Sequence, residues 1–136
     1  MRIPENFMLY GHYIEVHRMP LEKVIECYNN SVGPKKYHLD EDEDFYGLCH
    51  PAQYTIYLCL DRLADKTDEF VLQTFIHELM HMVFVMAGEF DDNDNEGKVD
   101  RLAQLLTQFM TTKQGDLFDE LDKPTTEQDN HPYTTR

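Results

Sequence analysis

The residues best suited to chemistry are His77, Glu78 and His81, within the pentapeptide His77-Glu78-Leu79-Met80-His81. Side chains four apart on a helix project from one face, one turn apart. Two imidazole nitrogens placed that way can share one metal ion at roughly 2.0–2.1 Å, and zinc suits such a pair. Glu78 projects beside them without being forced to ligate, so it can hold a water in the open position and take its proton. The plainer interpretation is a pair of core histidines hydrogen-bonded to backbone or carboxylate. It has to account for three polar groups set among Phe75, Ile76, Met82 and Val83, where burying them unpaired is costly.

Two histidines leave a zinc site incomplete; a third protein ligand and an open position are needed. The next histidine after His81 is His131, far along the chain. A third histidine six residues past His81 is excluded, because Ala87 stands there and Phe84 takes the glycine position of that pattern. A carboxylate is therefore expected, from among Glu89, Asp91, Asp92, Asp94, Glu96 and Asp100. Glu96 is the best placed, in the first turn of a second helix, with Asp100 four residues on along the same face. Glu96 can then ligate while Asp100 accepts the outer N–H of a ligating histidine. The bland alternative makes both of them N-terminal helix acids favoured by the dipole. A calcium loop opening at Asp92, Asp94, Glu96 and Gly97 fails at its twelfth position, which is Ala103 rather than a bidentate acid.

The elements that must position these residues can be read from periodicity. Residues 7–19 are aromatic and β-branched, with alternation from Tyr13 to His17, and read as a strand. Pro20 sits where a first helical residue would, and Leu21, Val24, Ile25 and Tyr28 form a helical stripe that ends near Asn29. Residues 40–44 are an acidic run expected in a solvated loop. A hairpin follows, residues 45–50 pairing with residues 54–60 around Pro51. Residues 66–88 change to a helical period with apolar residues on most sides, so this motif helix should be buried, and Gly88 breaks it. The polar stretch 91–95 supplies turn and N-cap chemistry for the second helix. The expected architecture is α+β, a short sheet packed on the motif helix with the Glu96 helix completing the site. Residues 1–113 read as one domain and residues 114–136 as a disordered acidic and polar tail.

Composition narrows the function classes. A net charge of −14 repels phosphate backbones, so direct nucleic-acid binding is not expected, while basic partners or plain solubility both fit. No apolar run approaches the roughly 20 residues of a membrane span, and the first residues lack a signal-peptide pattern, so the expected location is the cytoplasm. Cys27, Cys49 and Cys59 cannot all pair within one chain and lack ligand spacing, so they are expected as reduced thiols.

The segment from Thr74 to Met82, followed by the one from Asn95 to Leu106, resembles the core of ImmA/IrrE-type metallopeptidases, most of all their short, phage-associated members. Tyr46, Gly47 and the stretch from Tyr54 to Leu58 are similar to the strands that precede the zinc helix there. The likeness covers roughly residues 45–110 and implies a zincin-like domain of gluzincin type. His77, His81 and Glu96 would hold Zn2+, Glu78 would act as base, and Asp100 would support a ligand from outside the coordination shell. It implies a hydrolase acting on a protein or peptide substrate, a DNA-binding repressor in the better-known members, in the host cytoplasm if the chain is phage-encoded. The loop between His81 and Glu96 is short, and the chain carries no attached regulatory or DNA-binding domain, which separates it from those members. An oxyanion stabiliser is expected near the hairpin, with His50 and Tyr54 the leading candidates and Tyr46 and Tyr57 also in reach. Two readings from other classes stand beside the peptidase. One is a non-catalytic zinc-binding protein that grips a basic partner through its acidic surface. The other is an acidic mimic of nucleic acid, for which the metal would be dispensable.

Overall fold

A computed structural model describes residues 3–112 of the 136-residue chain; the expected tail at 114–136, with His131, lies outside the described residues. The fold is α+β, built on a four-stranded mixed sheet of order β1-β2-β4-β3. The strand expected over residues 7–19 is in fact a hairpin, β1 (Asn6–Leu9) and β2 (His12–Met19). Tyr10 and Gly11 form its two-residue turn with φ of +53° and +83°. Both residues take the left-handed region, as the turn that matches the right-handed twist of a tight hairpin demands. Gly11 does so freely, whereas Tyr10 takes the position against its steric preference.

After Pro20 the chain enters α1 (Leu21–Ser31), with Pro20 one residue outside the helix rather than inside it. The first free amide of α1 is satisfied from a distance, since Leu21 N–H donates to Asp61 Oδ1 at 2.8 Å. The acidic run follows in an exposed loop. Then come β3 (Gly47–His50), a turn of 3-10 helix at Pro51–Gln53, and β4 (Thr55–Cys59). β4 is parallel to β2 and antiparallel to β3, and all five of its residues are buried. A central strand covered on both faces reads as a continuous apolar run, as Tyr54 to Leu60 does.

Alternation along β4 divides the interior. Ile56 and Leu58 point to one side, where they meet Ile14 and Val16 of β2 and Phe75, Ile76 and Met82 of a long helix. Tyr57 and Cys59 point to the other, against Leu21, Val24 and Ile25 of α1. Each of the fully buried aliphatics contributes about 1.5–3 kcal/mol by leaving water. The short α2 (Leu60–Leu63) leads to that long helix, α3 (Asp68–Met86), capped by Thr67 Oγ1, which accepts from the Phe70 N–H at 3.1 Å. Gly88, at φ +77°, ends the helical run. A single turn, α4 (Phe90–Asn93), precedes α5 (Glu96–Thr111), which packs along α3. Asn95 caps α5, its Oδ1 accepting from Lys98 N–H at 3.0 Å. No helix among the described residues is long and apolar enough to cross a membrane.

Candidate metal centre

The motif lies in the middle of α3, with both histidine side chains turned toward the start of α5. The His77 and His81 rings sit one turn apart, centroids 5.0 Å from each other. Glu96, the first residue of α5, reaches between them: Oε2 lies 3.1 Å from His77 Nε2 and Oε1 2.8 Å from His81 Nε2. Asn95 fixes where α5 begins and thereby places the Glu96 carboxylate. Among the described residues, His77, His81 and Glu96 are the His, Cys, Asp or Glu donors that converge, their ligand atoms all within 4.8 Å of one another.

The outer ring nitrogens are also engaged. His81 Nδ1 donates to Asn93 Oδ1 at 2.8 Å, which leaves the Nε2 lone pair facing Glu96. His77 Nδ1 faces Asp100 Oδ1 at 3.6 Å, an ion-pair distance rather than a hydrogen bond, while Asp100 Oδ2 accepts from Gln104 at 2.8 Å. Asp100 therefore stands on the expected nitrogen without closing on it. Asn93 is the partner that sequence reasoning missed. Its neighbour Asp92 is taken up by Lys98, at 2.8 Å, whose ammonium also lies over the Phe84 ring. That pairing ties α4 to α5 and sets Asn93 against His81.

Glu78 is buried, at 8% exposure. Burial pushes its carboxyl up to about 8, the Glu96 carboxylate pushes the same way, and a hydrogen bond from the Cys49 backbone N–H opposes both. The strand register explains that bond. Cys59 N–H donates to Tyr46 O, so Tyr46 and Cys59 are a hydrogen-bonded pair, and two residues on Leu48 and Tyr57 are as well. Gly47 and Cys49 fall between and turn their backbone groups away from β4, toward α3. Gly47 is what lets the helix come close: a Cβ there would sit 3.1 Å from Glu78 Cγ, Thr74 Cγ2 and Tyr57 O.

A cleft of about 720 Å3 opens over this edge, with His77, Glu78, His81 and Glu96 at one end and Tyr46 and Phe70 in its wall. Of the oxyanion candidates, Tyr46 lines the cleft and the others do not. His50 alternates to the opposite face of the sheet, where it is buried against the Tyr28 ring at 4.6 Å with its Nδ1 3.4 Å from Ser31 Oγ. Burial lowers its pKa. Tyr54 lies beyond the far end of β3, stacked on His12 at 4.5 Å, and Tyr57 packs on the α1 side. The strand parity that carries Gly47 and Cys49 toward Glu78 carries His50 and Tyr57 away from it. Cys49 and Cys59 are free thiols raised in pKa, chiefly by burial, Cys59 to about 12.

No protein-family model, curated protein or solved structure matches this chain. The assignment rests on donor chemistry. Two imidazoles and one carboxylate are a zinc donor set of the catalytic kind, which keeps a fourth position open. A tetrahedral zinc with ligands at roughly 2.0–2.1 Å separates its donors by about 3.4 Å. The 2.8 and 3.1 Å gaps at Glu96 need to widen by about half an ångström or less, and the exposed Glu96 side chain can give that much. The residues present therefore fit the ion.

Proposed function

We propose that this chain is a zinc-dependent peptidase with a zincin-like site of gluzincin type, as its likeness to ImmA/IrrE-type metallopeptidases implies. The observation that carries the reading is the convergence of His77, His81 and Glu96 beside a buried Glu78 that is not itself a ligand. Zinc, when bound, supplies a Lewis acid that acidifies water and polarises a carbonyl. Glu78 takes a proton from the attacking water and passes it to the departing amine. Its elevated carboxyl suits that exchange, because a group poised near neutrality both accepts and releases a proton readily. The Cys49 N–H keeps the carboxylate aimed into the cleft. The outward backbone of Gly47 offers a strand edge to which an extended substrate can add, so that main-chain hydrogen bonds hold the scissile bond over the site. Tyr46 is the oxyanion candidate that lines the cleft, and Tyr46→Phe would report on whether its hydroxyl takes that role. A DNA-binding repressor is the substrate the resemblance suggests.

Metal analysis tests the site and Glu78→Gln tests the chemistry. Wild-type protein purified without chelator should carry about one zinc per chain, and His81→Ala should lose it. Peptide cleavage by the zinc-loaded protein should vanish in Glu78→Gln. Metal-free wild type that stays folded would end the peptidase reading. Zinc-loaded protein without Glu78-dependent cleavage would favour the zinc-binding interaction protein instead.

A further inference from the structure

The cleft continues past the metal centre toward the N-terminal end of α3, and its chemistry changes along the way. Near the histidines the walls are acidic or amide. One to two turns back, the Tyr46 ring stands edge-on to Phe70, centroids 5.0 Å apart at 81°. Phe45 and Leu39 face the same cleft from the preceding loop. Phe70 lies seven residues, about two turns or roughly 10 Å, before His77, so this recess is about three residues of extended peptide from the metal centre.

The recess is built rather than incidental. Leu39 is fixed by the Asn29 side chain, which donates to Leu39 O at 3.0 Å and accepts from Leu39 N–H at 2.8 Å. Lys66 braces the other wall, its ammonium 5.6 Å from the Tyr46 ring centre and 5.7 Å from that of Phe70. Walls already ordered before a ligand arrives need not be ordered by it. Charge adds a second constraint. Glu43 and Asp100 line the cleft, and among the described residues no lysine or arginine does, Lys66 touching the two rings without lining it.

We propose that this recess is the specificity pocket of the site, and that it takes a bulky apolar side chain from an extended segment of cationic character. The inference rests on the peptidase reading and adds to it the substrate class. Aromatic and large aliphatic side chains fill a pocket walled by Tyr46, Phe70 and Leu39, whereas glycine, alanine and acidic residues leave it unfilled or meet like charge at Glu43.

The test uses the zinc-loaded full chain and a degenerate decapeptide library, with cut sites read by mass spectrometry. Wild type, Glu78→Gln, Tyr46→Phe and Tyr46→Ala are compared. Tyr46 is 42% exposed, so truncating it leaves the core intact, and zinc content and circular dichroism check that it does. The expected result is enrichment of Phe, Tyr, Leu and Met by about tenfold at one fixed position within about three residues of the cut, with basic residues favoured next to it. Tyr46→Phe should keep the apolar enrichment and Tyr46→Ala should reduce it to about threefold or less. Glu78-dependent cleavage without apolar enrichment, or enrichment undiminished in Tyr46→Ala, would overturn the pocket and leave the peptidase reading standing. Absence of any Glu78-dependent cleavage would overturn both.

Discussion

Replacing Glu78 by glutamine in the zinc-free protein should make it more stable, by an amount that grows with pH. The carboxyl releases its proton near 4.5 when unfolded and near 8 when folded. Below about pH 4.5 both states hold the proton, and burial of Glu78 carries no charge penalty. Between 4.5 and 8 the folded chain holds a proton that the unfolded chain has lost, so stability falls as pH rises through that window. At about 1.4 kcal/mol per pH unit, the wild type gives up on the order of 3 kcal/mol at pH 7 and nearly 5 kcal/mol well above pH 8. Glutamine has no charge to desolvate, and its amide oxygen can still accept from the Cys49 N–H. Urea denaturation of both proteins in chelator, at pH 5, 6.5 and 8, should give a small difference at pH 5 that widens to about 3–5 kcal/mol at pH 8. Zinc should narrow the gap, because a nearby cation favours the carboxylate. A difference that stays flat from pH 5 to 8, or a glutamine variant less stable at pH 8, would refute the argument that Glu78 is a strained, buried acid.

Further outcomes follow from single contacts. Asn93→Ala removes the acceptor on His81 Nδ1 and should weaken zinc binding about 10–100-fold in chelator competition, with Asn93→Asp restoring most of it. Gly47→Ala drives a Cβ against Glu78, Thr74 and the Tyr57 carbonyl, and should cost about 1–3 kcal/mol in thermal or chemical denaturation. It should also lower cleavage more than that loss of fold explains, since Glu78 itself must shift. Thr107 is 1% exposed with its hydroxyl unpartnered, so Thr107→Val should be neutral or stabilising by about 1 kcal/mol, measured by the same denaturation.

The parts of the site that were legible in the sequence are those fixed by helical geometry. His77 and His81 are four apart whatever the rest of the chain does, and Glu96 had to begin a helix because Asn95 caps it. Asn93 was hidden because its bond to His81 depends on α4, a single turn after Gly88 that leaves no periodic trace. The two strands within residues 6–19 were merged because their turn puts Tyr10, a residue that ordinarily avoids positive φ, beside Gly11. Here Gly11 was the available signal. Tyr54 fails to reach the cleft because it lies past the end of β3, and His50 fails for a reason of parity. A strand alternates its faces, and once Gly47 is known to touch α3, His50, three residues on, must point to the opposite side. Composition could not supply that phase; it came from the register of β3 against β4.

The exposed edge of β3 also bears on how copies of the chain meet one another. An unpaired strand edge is a template on which chains of the same kind stack into aggregates. Here the edge is four residues long, and one of its outward amides, that of Cys49, is already occupied by Glu78. The groove beside it carries Glu43 and Asp100, and every neighbouring copy arrives with a net charge of −14. Copies of this chain are thus repelled from this edge, while a cationic strand is drawn to it. Glu43→Lys would remove part of that repulsion from the groove, and the state of association would then respond to salt in a way the native protein's does not.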